Sequence, residues 1–280
     1  MIDETLKTRP DEWTPPPIAL TIAGSDSGGG AGIQADLKTF HQFGVHGTSA
    51  IVAITAQNTT GVKAVFPIPE EMVLAQLAAL ADDLPPAAVK SGMLATASLV
   101  TLVANAIRGY EWRSFVLDPV MVASSGDRLL DEDAVSAMRE DLLPTAALVT
   151  PNLDEAEILT RTAVRDPESM RIAGNRLLEM GARAVLIKGG HLTGDEVVDI
   201  LVVPGVVRRF THPRLDTRST HGTGCTLSAA ITAGLALGTS LDRAVEDALD
   251  YVHRAMRTAP RLGAGQAPLN HRVPARKPPR

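Results

Sequence analysis

Cysteine is almost absent from this chain, because Cys225 is the only one in 280 residues. A single cysteine excludes a disulfide framework and a cysteine-based zinc site, and it fits a reducing compartment. No stretch approaches the roughly 20 apolar residues of a membrane-spanning helix. The N-terminal sequence MIDETLKTRPDEW is polar and lacks the apolar core of a secretory signal. We therefore expect a cytoplasmic protein that does not interact with membranes.

Aromatic residues and basic runs are also scarce. Aromatics make up 3% of the chain and the net charge is −5, with no long basic run. This composition argues against a nucleic-acid-binding surface. Hydrophobic residues nevertheless reach 45%, so the chain is able to build a large core from Ala, Val, Leu and Ile.

Short apolar segments alternate with amphipathic helical segments along most of the chain. This alternation predicts an α/β fold with a mainly parallel sheet that is covered on both faces. Residues 197–203 and 206–210 are the exception and predict an antiparallel pair. We find no repeat or linker within 18–262, which we interpret as a single domain. Residues 1–17 and 263–280 are rich in proline or polar residues and predict a loose arm and a loose tail.

Polar and glycine-rich clusters follow the predicted strands. In sheets of this kind, ligands bind beyond the carboxyl ends of the strands, so these clusters predict a shared ligand-binding edge. They are residues 24–32, 57–58, 92–93, 118–119, 152, 188–190 and 222–225.

The segment 222–225 is the most informative of these clusters. Gly222 and Gly224 flank Thr223, and the sequence from Thr226 onward predicts the first turn of a helix. A helix N-terminus binds anions through unpaired N–H groups and the helix dipole. Cys225 lies in this field, which suggests phosphoryl transfer. A lone cysteine is also commonly a small buried hydrophobe, and the loop alone does not separate the two interpretations.

A second glycine-rich loop, 24–32, lies between a predicted strand and a predicted helix. It is not a P-loop, because no Gly-Lys-Ser/Thr follows its glycines. It is a poor dinucleotide-binding motif, because its spacing is G-x-G-x-G and no acidic residue follows at the required distance. A dinucleotide-dependent oxidoreductase is therefore a weak alternative. A non-catalytic pyrimidine-binding protein is a further alternative, but it would not need segment 222–225.

Seven motifs, listed below in chain order, resemble those of the hydroxymethylpyrimidine/phosphomethylpyrimidine kinases of the ribokinase-like superfamily. The resemblance covers about residues 18–258 and implies a three-layer α/β/α sandwich, ATP with Mg²⁺, and two successive phosphorylations of a small pyrimidine in thiamin biosynthesis. We also expect a homodimer. The motifs are AGSDSGGGAGIQADLKT, VAITAQNT, KSGML, LDPVMV, TPNLDEAEIL, IKGGH and THGTGCTLSAAI.

The resemblance implies a catalytic role for segment 222–225. Cys225 lies where the superfamily has its catalytic base. A helix N-terminus lowers the pKa of a cysteine from its ordinary value of about 8.5, so we expect a thiolate that accepts the proton of the substrate hydroxyl. Gly222, Thr223 and Gly224 are expected to donate backbone N–H groups to the transferred phosphoryl group.

Four further positions match the nucleotide and metal elements of the family. Asn152 and Glu155 form an Asn-x-x-Glu element, which fits a hydrated Mg²⁺ held through few carboxylates. The same pair also fits an ordinary helix N-cap. Asp118 at a strand end is expected to join the metal site, and Lys188 is expected to approach the nucleotide phosphates.

The pyrimidine pocket is expected to contain Gln57, Asp36, Met93 and Val120. A glutamine amide presents both a donor and an acceptor to an aminopyrimidine edge. The carboxylate of Asp36 is expected to accept from the exocyclic amine, and Met93 to pack on the ring face. Taken singly, Met93 fits a core position and Asp36 a solvated helix position.

One position departs from the family pattern, and one related activity stays open. Many members have A-K-S-G after the LDPVM motif, whereas this chain has Ser124 in place of the lysine. Pyridoxal kinases share several of the seven motifs and are the nearest alternative.

Overall fold

The computed structural model describes residues 14–121, 130–217 and 219–275. Residues 1–13 of the predicted arm, Ser124 and residues 276–280 lie outside this part of the chain. Within it, one nine-stranded sheet has the order β3-β2-β1-β4-β5-β6-β7-β8-β9. The strands are β1 (Ile18–Asp26), β2 (His46–Asn58), β3 (Gly61–Pro67), β4 (Ala88–Ser91), β5 (Phe115–Leu117), β6 (Leu148–Val149), β7 (Val185–Ile187), β8 (Glu196–Val203) and β9 (Val206–Pro213).

The centre of the sheet is parallel and both edges are antiparallel. Strands β2, β1, β4, β5, β6 and β7 pair in parallel. Strand β3 pairs antiparallel with β2, and β8 pairs antiparallel with both β7 and β9. The predicted pair 197–203 and 206–210 is therefore confirmed. The β1–β2 register shifts between Ala23 and Gly24, just before the glycine-rich loop.

Helices cover both faces of the sheet. The helices are α1 (Gly32–Gln42), α2 (Glu70–Asp83), α3 (Ala97–Gly109), α4 (Glu132–Ala137), α5 (Leu153–Thr160), α6 (Pro167–Glu179), α7 (Thr223–Ala236) and α8 (Leu241–Arg257). Side chains alternate between the faces along a strand, and β5 shows this alternation. Phe115 and Leu117 pack in a core with α2 to α6, whereas Val116 packs in a core with α7 and α8.

This arrangement is a three-layer α/β/α sandwich, as the resemblance implied. Helices α1 and α7 share a smaller core around Phe40, Ala229 and Ala233, which places both on the α8 face. The remaining helices cover the other face. No helix in the described ranges is long and apolar enough to cross a membrane.

Two predicted boundaries are wrong. Helix α7 begins at Thr223 and not at Thr226, so Thr223, Gly224 and Cys225 form its first turn instead of a loop. Residues 263–275 do not form a loose tail. Leu269 and His271 are buried, and the N–H of Gln266 donates to the carbonyl of Thr59 at 2.8 Å. Composition alone suggested a tail, but packing against α8 and the β2–β3 turn orders this segment.

Candidate functional site

Five adjacent parallel strands end at one edge of the sheet, and the predicted site residues follow them. The strands β1, β4, β5, β6 and β7 are neighbours in this order. The edge therefore carries, from one side to the other, Asp26, Met93, Asp118, Asn152 and Lys188. The predicted clusters therefore share one edge of the sheet, as expected, and ligand binding there stays a prediction.

Two helix N-termini meet at this edge. Gly222 caps α7 with φ 80°, a left-handed conformation that favours glycine. A Cβ at Gly222 would overlap the carbonyl oxygen of Gly30 in the loop before α1. At Gly224, a Cβ would lie 3.2 Å from Lys188 Nζ. The first turn of α7 therefore extends from the glycine-rich loop to Lys188, and both helix dipoles present their positive ends there.

Thr223 does not fit the role expected for it. Its N–H donates to the carbonyl of Thr220 at 3.2 Å, and its hydroxyl donates to the same carbonyl at 2.7 Å. A donor that is engaged within its own turn is not presented to a phosphoryl group. Gly222 holds the helix start, and Gly224 places backbone beside Lys188.

Cys225 lies between the two helix N-termini, but its pKa is not lowered. Burial raises the pKa of the thiol to about 11, although the ammonium of Lys90 and the N–H of Gly32 oppose the rise. The expected thiolate at neutral pH is therefore wrong for the ligand-free protein. The cause is desolvation, which penalises the charged form more than the dipoles and the lysine favour it.

Asp36 forms a buried ion pair below the edge. Both of its carboxylate oxygens accept from Lys90 Nζ, at 2.9 and 3.0 Å, and Thr21 Oγ1 donates to one of them at 2.6 Å. Neither side chain of the ion pair has exposed surface. The expected direct contact between Asp36 and an exocyclic amine is therefore corrected, because both oxygens are engaged and out of reach of a ligand.

In this pair, each charged group stabilises the charged form of its partner. Burial alone would lower the pKa of Lys90, but Asp36, together with Cys225 and Asp118, more than offsets this effect, and the pKa is raised. For Asp36, burial raises the pKa and Lys90 opposes the rise. With two hydrogen bonds to a fully charged lysine, the carboxylate is held as the acceptor of the pair.

Asp118 is the acceptor of a second buried network. Lys188 Nζ lies 3.2 Å from Asp118 Oδ1, and Thr150 Oγ1 donates to the same oxygen at 3.3 Å. Ser228 Oγ on α7 donates to Oδ2 at 3.1 Å. Burial works against the charge, but Lys188 and Lys90 lower the pKa of Asp118 below its ordinary value. Both carboxylate oxygens of Asp118 are therefore engaged within the protein, and its expected part in the metal site stays a prediction.

Asn152 and Glu155 form the N-cap of α5. Asn152 Oδ1 accepts from the N–H of Glu155 at 2.9 Å, and Glu155 Oε2 accepts from the N–H of Asn152 at 2.8 Å. The helix-cap interpretation of this pair is therefore confirmed. Burial raises the pKa of Glu155 to about 7, although Lys188, 3.8 Å away, opposes the rise.

The residues fit a hydrated magnesium ion only in part. Among the described residues, no group of three or more His, Cys, Asp or Glu side chains forms a metal cage. Glu155 is a carboxylate 3.8 Å from Lys188, and Mg²⁺ is held through one or two carboxylates, waters and substrate phosphates. This donor set suits an ion that arrives with a nucleotide.

Of the predicted pyrimidine contacts, Gln57 and Met93 lie toward the β1 side of the edge, and Val120 follows β5 at its centre. Gln57 and Val120 are half-buried. Met93 is half-buried too, and its methyl group lies close to Gly24, where an added Cβ would be 2.7 Å from it. The backbone N–H and carbonyl of Gln57 bond to Ser27 Oγ at 2.9 and 2.7 Å, which joins Gln57 to the glycine-rich loop.

Three residues of this edge were not predicted. Asp26 accepts from the N–H groups of Gly28, Gly30 and Ala31 and from His221 Nε2. Lys90 carried a detectable signal, because a lysine within an apolar strand needs a buried anion. Asp26 and His221 carried none, since they are 195 positions apart in the sequence.

The fold and this edge define a small-molecule phosphotransferase with a ribokinase-like architecture. Two helix N-termini and Lys188 lie together at this edge, and Cys225 lies in the first turn of α7. A family model described as phosphomethylpyrimidine kinase matches residues 26–270. The chain belongs to the phosphomethylpyrimidine kinase family.

Relatives and solved structures agree with this assignment. The chain is 51% identical over 257 residues to the hydroxymethylpyrimidine/phosphomethylpyrimidine kinase of Rhizobium meliloti, covering 91% of this chain and 96% of the relative. A crystal structure of Bacillus subtilis pyridoxal kinase with ADP has a TM-score of 0.86 at 38% identity, covering 91% and 97% of the two chains. Phosphomethylpyrimidine kinase from Clostridium difficile has a TM-score of 0.77 at 41% identity, covering 85% and 99%.

Proposed function

We propose that this protein transfers the γ-phosphoryl group of ATP first to 4-amino-5-hydroxymethyl-2-methylpyrimidine and then to its monophosphate, in thiamin biosynthesis. The observation that carries the proposal is the first turn of α7, which joins the glycine-rich loop at Gly222 to Lys188 at Gly224. Cys225 occupies the same turn. An acceptor in the pocket and a phosphate at Lys188 therefore face one helix N-terminus.

The chain's own residues have distinct roles in this reaction. The α7 N-terminus and Lys188 attract and orient the phosphates, and Gln57 orients the pyrimidine. Cys225 accepts the proton of the attacking hydroxyl at Sγ when the thiol is ionised as a thiolate. Asp118, held by Lys188 and Ser228, keeps the lysine directed at the edge. ATP supplies the phosphoryl group, and Mg²⁺ neutralises phosphate charge when it is bound.

Pyridoxal is the second candidate acceptor. The observation in its favour is the similarity to pyridoxal kinases of Bacillus subtilis and Staphylococcus aureus, at TM-scores of 0.86 and 0.85. The relatives named for the pyrimidine kinase are more similar in sequence, at 51% and 46% identity.

The test is a coupled assay of ADP release with the purified chain. The hydroxymethylpyrimidine, its monophosphate and pyridoxal are compared side by side at the same ATP and Mg²⁺ concentrations. We expect the highest kcat/KM with the two pyrimidine acceptors. Turnover of pyridoxal alone would assign the protein to the second function.

Glu155→Gln is expected to raise the Mg²⁺ concentration needed for the half-maximal rate by several-fold. The substitution removes the carboxylate charge next to Lys188 while the amide oxygen still accepts from the N–H of Asn152. The α5 cap is therefore retained, and thermal unfolding serves as the control for it. An unchanged Mg²⁺ dependence would leave Glu155 with the helix-cap role alone.

Gln57→Leu is expected to raise KM for the pyrimidine by about 10- to 100-fold, with KM for ATP little changed. The leucine keeps the bulk but removes both hydrogen-bonding groups, and an unpaired polar group in a partly buried site costs about 1–3 kcal/mol. The measurement is steady-state kinetics with each substrate varied in turn. If the wild type and Gln57→Leu have equal KM values for the pyrimidine, Gln57 does not contact this substrate.

The homodimer stays a prediction. Strand β3 is exposed on both faces along most of its length. Phe66 on β3 and its cross-strand partner Ile54 on β2 are 63% and 50% exposed. We propose this apolar edge as the contact surface between two copies of the chain.

A further inference from the structure

A single arginine binds three carbonyls of the loop between β7 and β8. Arg214, which directly follows β9, donates from Nε to the carbonyl of Gly194 at 2.7 Å and from Nη1 to the carbonyl of Gly190 at 2.9 Å. Its Nη2 donates to the carbonyl of Leu192. We call residues 189–195 the β7–β8 loop. One half-buried guanidinium therefore holds three alternate carbonyls of this loop.

Asp199 on β8 fixes the start of the same loop. Its Oδ1 accepts from the N–H of Gly189 at 2.9 Å. A Cβ at Gly189 would overlap the carbonyl oxygen of Val198, so the loop backbone packs directly on β8 there. Burial raises the pKa of Asp199 to about 6, although the Gly189 N–H and Lys188 oppose the rise. The buried carboxylate is therefore mostly ionised at pH 7 and accepts this bond.

The sequence of the β7–β8 loop does not order it. Gly189, Gly190 and Gly194 lie within its seven residues, and Gly194 has φ 119°. Glycine loses more conformational freedom on ordering than any other residue. Leu192 packs against the core, but most of the remaining loop residues are exposed. The order of the loop therefore depends on its hydrogen bonds to Arg214 and Asp199.

The bonds to Arg214 also set the direction of three N–H groups of the loop. No peptide bond of the described residues is cis, and in a planar trans peptide the N–H points opposite to the carbonyl. The N–H groups of His191, Thr193 and Asp195 therefore point away from the guanidinium. None of the three donates to another backbone group of the described residues. The loop thus presents three donors on the side away from Arg214.

The β7–β8 loop is the next element of the edge beyond Lys188. Strand β7 is the last parallel strand on this side of the sheet, and β8 and β9 lie beyond it. Because β8 is antiparallel to β7, the edge beyond Lys188 carries this loop and the segment that follows β9. The predicted acceptor contacts Gln57 and Met93 lie toward β1 instead. An ATP whose phosphates lie at Lys188 and whose γ-phosphate faces the acceptor extends its nucleoside toward the β7–β8 loop.

We propose that Arg214 and Asp199 are positioning residues that hold the β7–β8 loop in the shape in which it binds the nucleoside half of ATP. The proposal rests on the proposed function, in which Lys188 binds the phosphates. A loop that is already ordered binds its ligand more tightly, because less conformational entropy is lost on binding. Both residues act through the loop backbone and need not contact the nucleotide themselves.

The first test compares Arg214→Met with Arg209→Met. Methionine removes all guanidinium donors and keeps an unbranched side chain, and Arg209, exposed on β9, provides the matched loss of charge. We expect Arg214→Met to raise both Kd for the non-hydrolysable analogue AMP-PCP and KM for ATP about 10- to 100-fold, the value of one hydrogen bond to a charged group. KM for the pyrimidine, and all constants of Arg209→Met, should stay within about twofold of the wild type.

Inorganic tripolyphosphate separates the nucleoside contact from the phosphate contact. It carries the phosphates of ATP without the nucleoside, and it is measured as a competitive inhibitor against ATP. We expect its inhibition constant to be nearly the same in the wild type and in Arg214→Met. An equal loss of affinity for AMP-PCP and for tripolyphosphate would show that the loop acts on the phosphates alone, and it would overturn the proposal.

The second test compares Asp199→Asn with Asp199→Leu. The asparagine oxygen still accepts from the N–H of Gly189, whereas leucine has a similar volume and no acceptor. We expect Asp199→Asn to keep its affinity for AMP-PCP within about threefold of the wild type, and Asp199→Leu to lose about tenfold. Equal losses in the two variants would assign the effect to the charge of Asp199 and contradict a positioning role.

The outcomes separate this proposal from the proposed function. AMP-PCP binding that is unchanged in Arg214→Met would contradict the positioning role and leave the kinase assignment intact. Absence of both AMP-PCP binding and ATP-dependent turnover in the wild type would contradict the proposed function instead. If Asp199→Leu does not fold, the other two variants still decide the question, because affinity must fall in Arg214→Met and be kept in Asp199→Asn.

Discussion

Cys225→Ala is expected to slow phosphorylation of the hydroxymethyl group by about 10²- to 10⁴-fold, the usual contribution of a general base. The alcohol must lose a proton as it attacks. The second acceptor, a phosphate monoester with a second pKa of about 6, is already an anion at pH 7. We therefore expect the rate of the second phosphorylation to fall much less in this variant. Initial rates for each acceptor measure the difference.

The raised pKa of the thiol gives this prediction a pH signature. With a pKa of about 11, the thiolate fraction of the free enzyme rises about tenfold for each pH unit below that value. We expect kcat/KM for the alcohol to rise with this slope between about pH 7.5 and 9.5 in the wild type. The profile for Cys225→Ala, and that for the monophosphate acceptor, should be nearly flat.

Two further variants control for packing. Cys225→Ser keeps the size of the side chain and an acceptor for the Gly32 N–H, but its hydroxyl is a far weaker acid, so it should resemble Cys225→Ala. Cys225→Asp supplies a base and should restore part of the first step. Equal losses for both acceptors would contradict a base that is selective for the alcohol. Full activity of Cys225→Ala would show that Cys225 has only a packing role.

Lys90→Met is expected to lower the free energy of unfolding by about 3–5 kcal/mol, because it leaves the Asp36 carboxylate buried without its counter-ion. Both side chains of this pair are fully buried. The double variant Asp36→Asn with Lys90→Met removes the charge as well and should recover a large part of the loss. Denaturant unfolding of the two single variants and the double variant measures the coupling.

Lys63→Met, at an exposed position, provides the matched control, with an expected change in the free energy of unfolding within about 0.5 kcal/mol. If the loss of unfolding free energy in the double variant equals the sum of the two single losses, the two residues are not coupled and the prediction is contradicted.

The contribution of the Lys90–Asp36 pair to the free energy of unfolding should also depend on pH. Because the pKa of Lys90 is raised in the folded protein, this contribution is complete below the unfolded lysine pKa of about 10.4 and decreases at higher pH.

The alternation of apolar strands and helices was sufficient to predict the layered fold. Period-2 and period-3.6 patterns report burial directly, and the order of strand-end motifs predicted one ligand-binding edge. The start of α7 was missed by three residues, because a Thr-Gly-Cys turn has weak helix propensity. The neighbouring Gly30 backbone and Lys188 determine this start, and they are distant in the sequence.

The order of residues 263–275 also escaped prediction. Proline, glycine and arginine favour a loose tail, yet His271 is buried against Thr226, with its Nε2 2.9 Å from the Thr226 hydroxyl. Burial lowers the pKa of His271 to about 4, so it packs as a neutral ring. Such a contact depends on where α7 and α8 lie, which composition does not report.

The sequence by itself determined the fold class, the family resemblance and the residues that line the edge, because these depend on local patterns and on the chemistry of side chains. Only the tertiary structure decided their electrostatic condition. Burial raises the pKa of Cys225. The fold pairs Asp36 with Lys90 and Asp118 with Lys188, and it places His221 next to Asp26. Desolvation and pairing depend on residues brought together from distant parts of the chain, and a linear pattern carries no record of those distances.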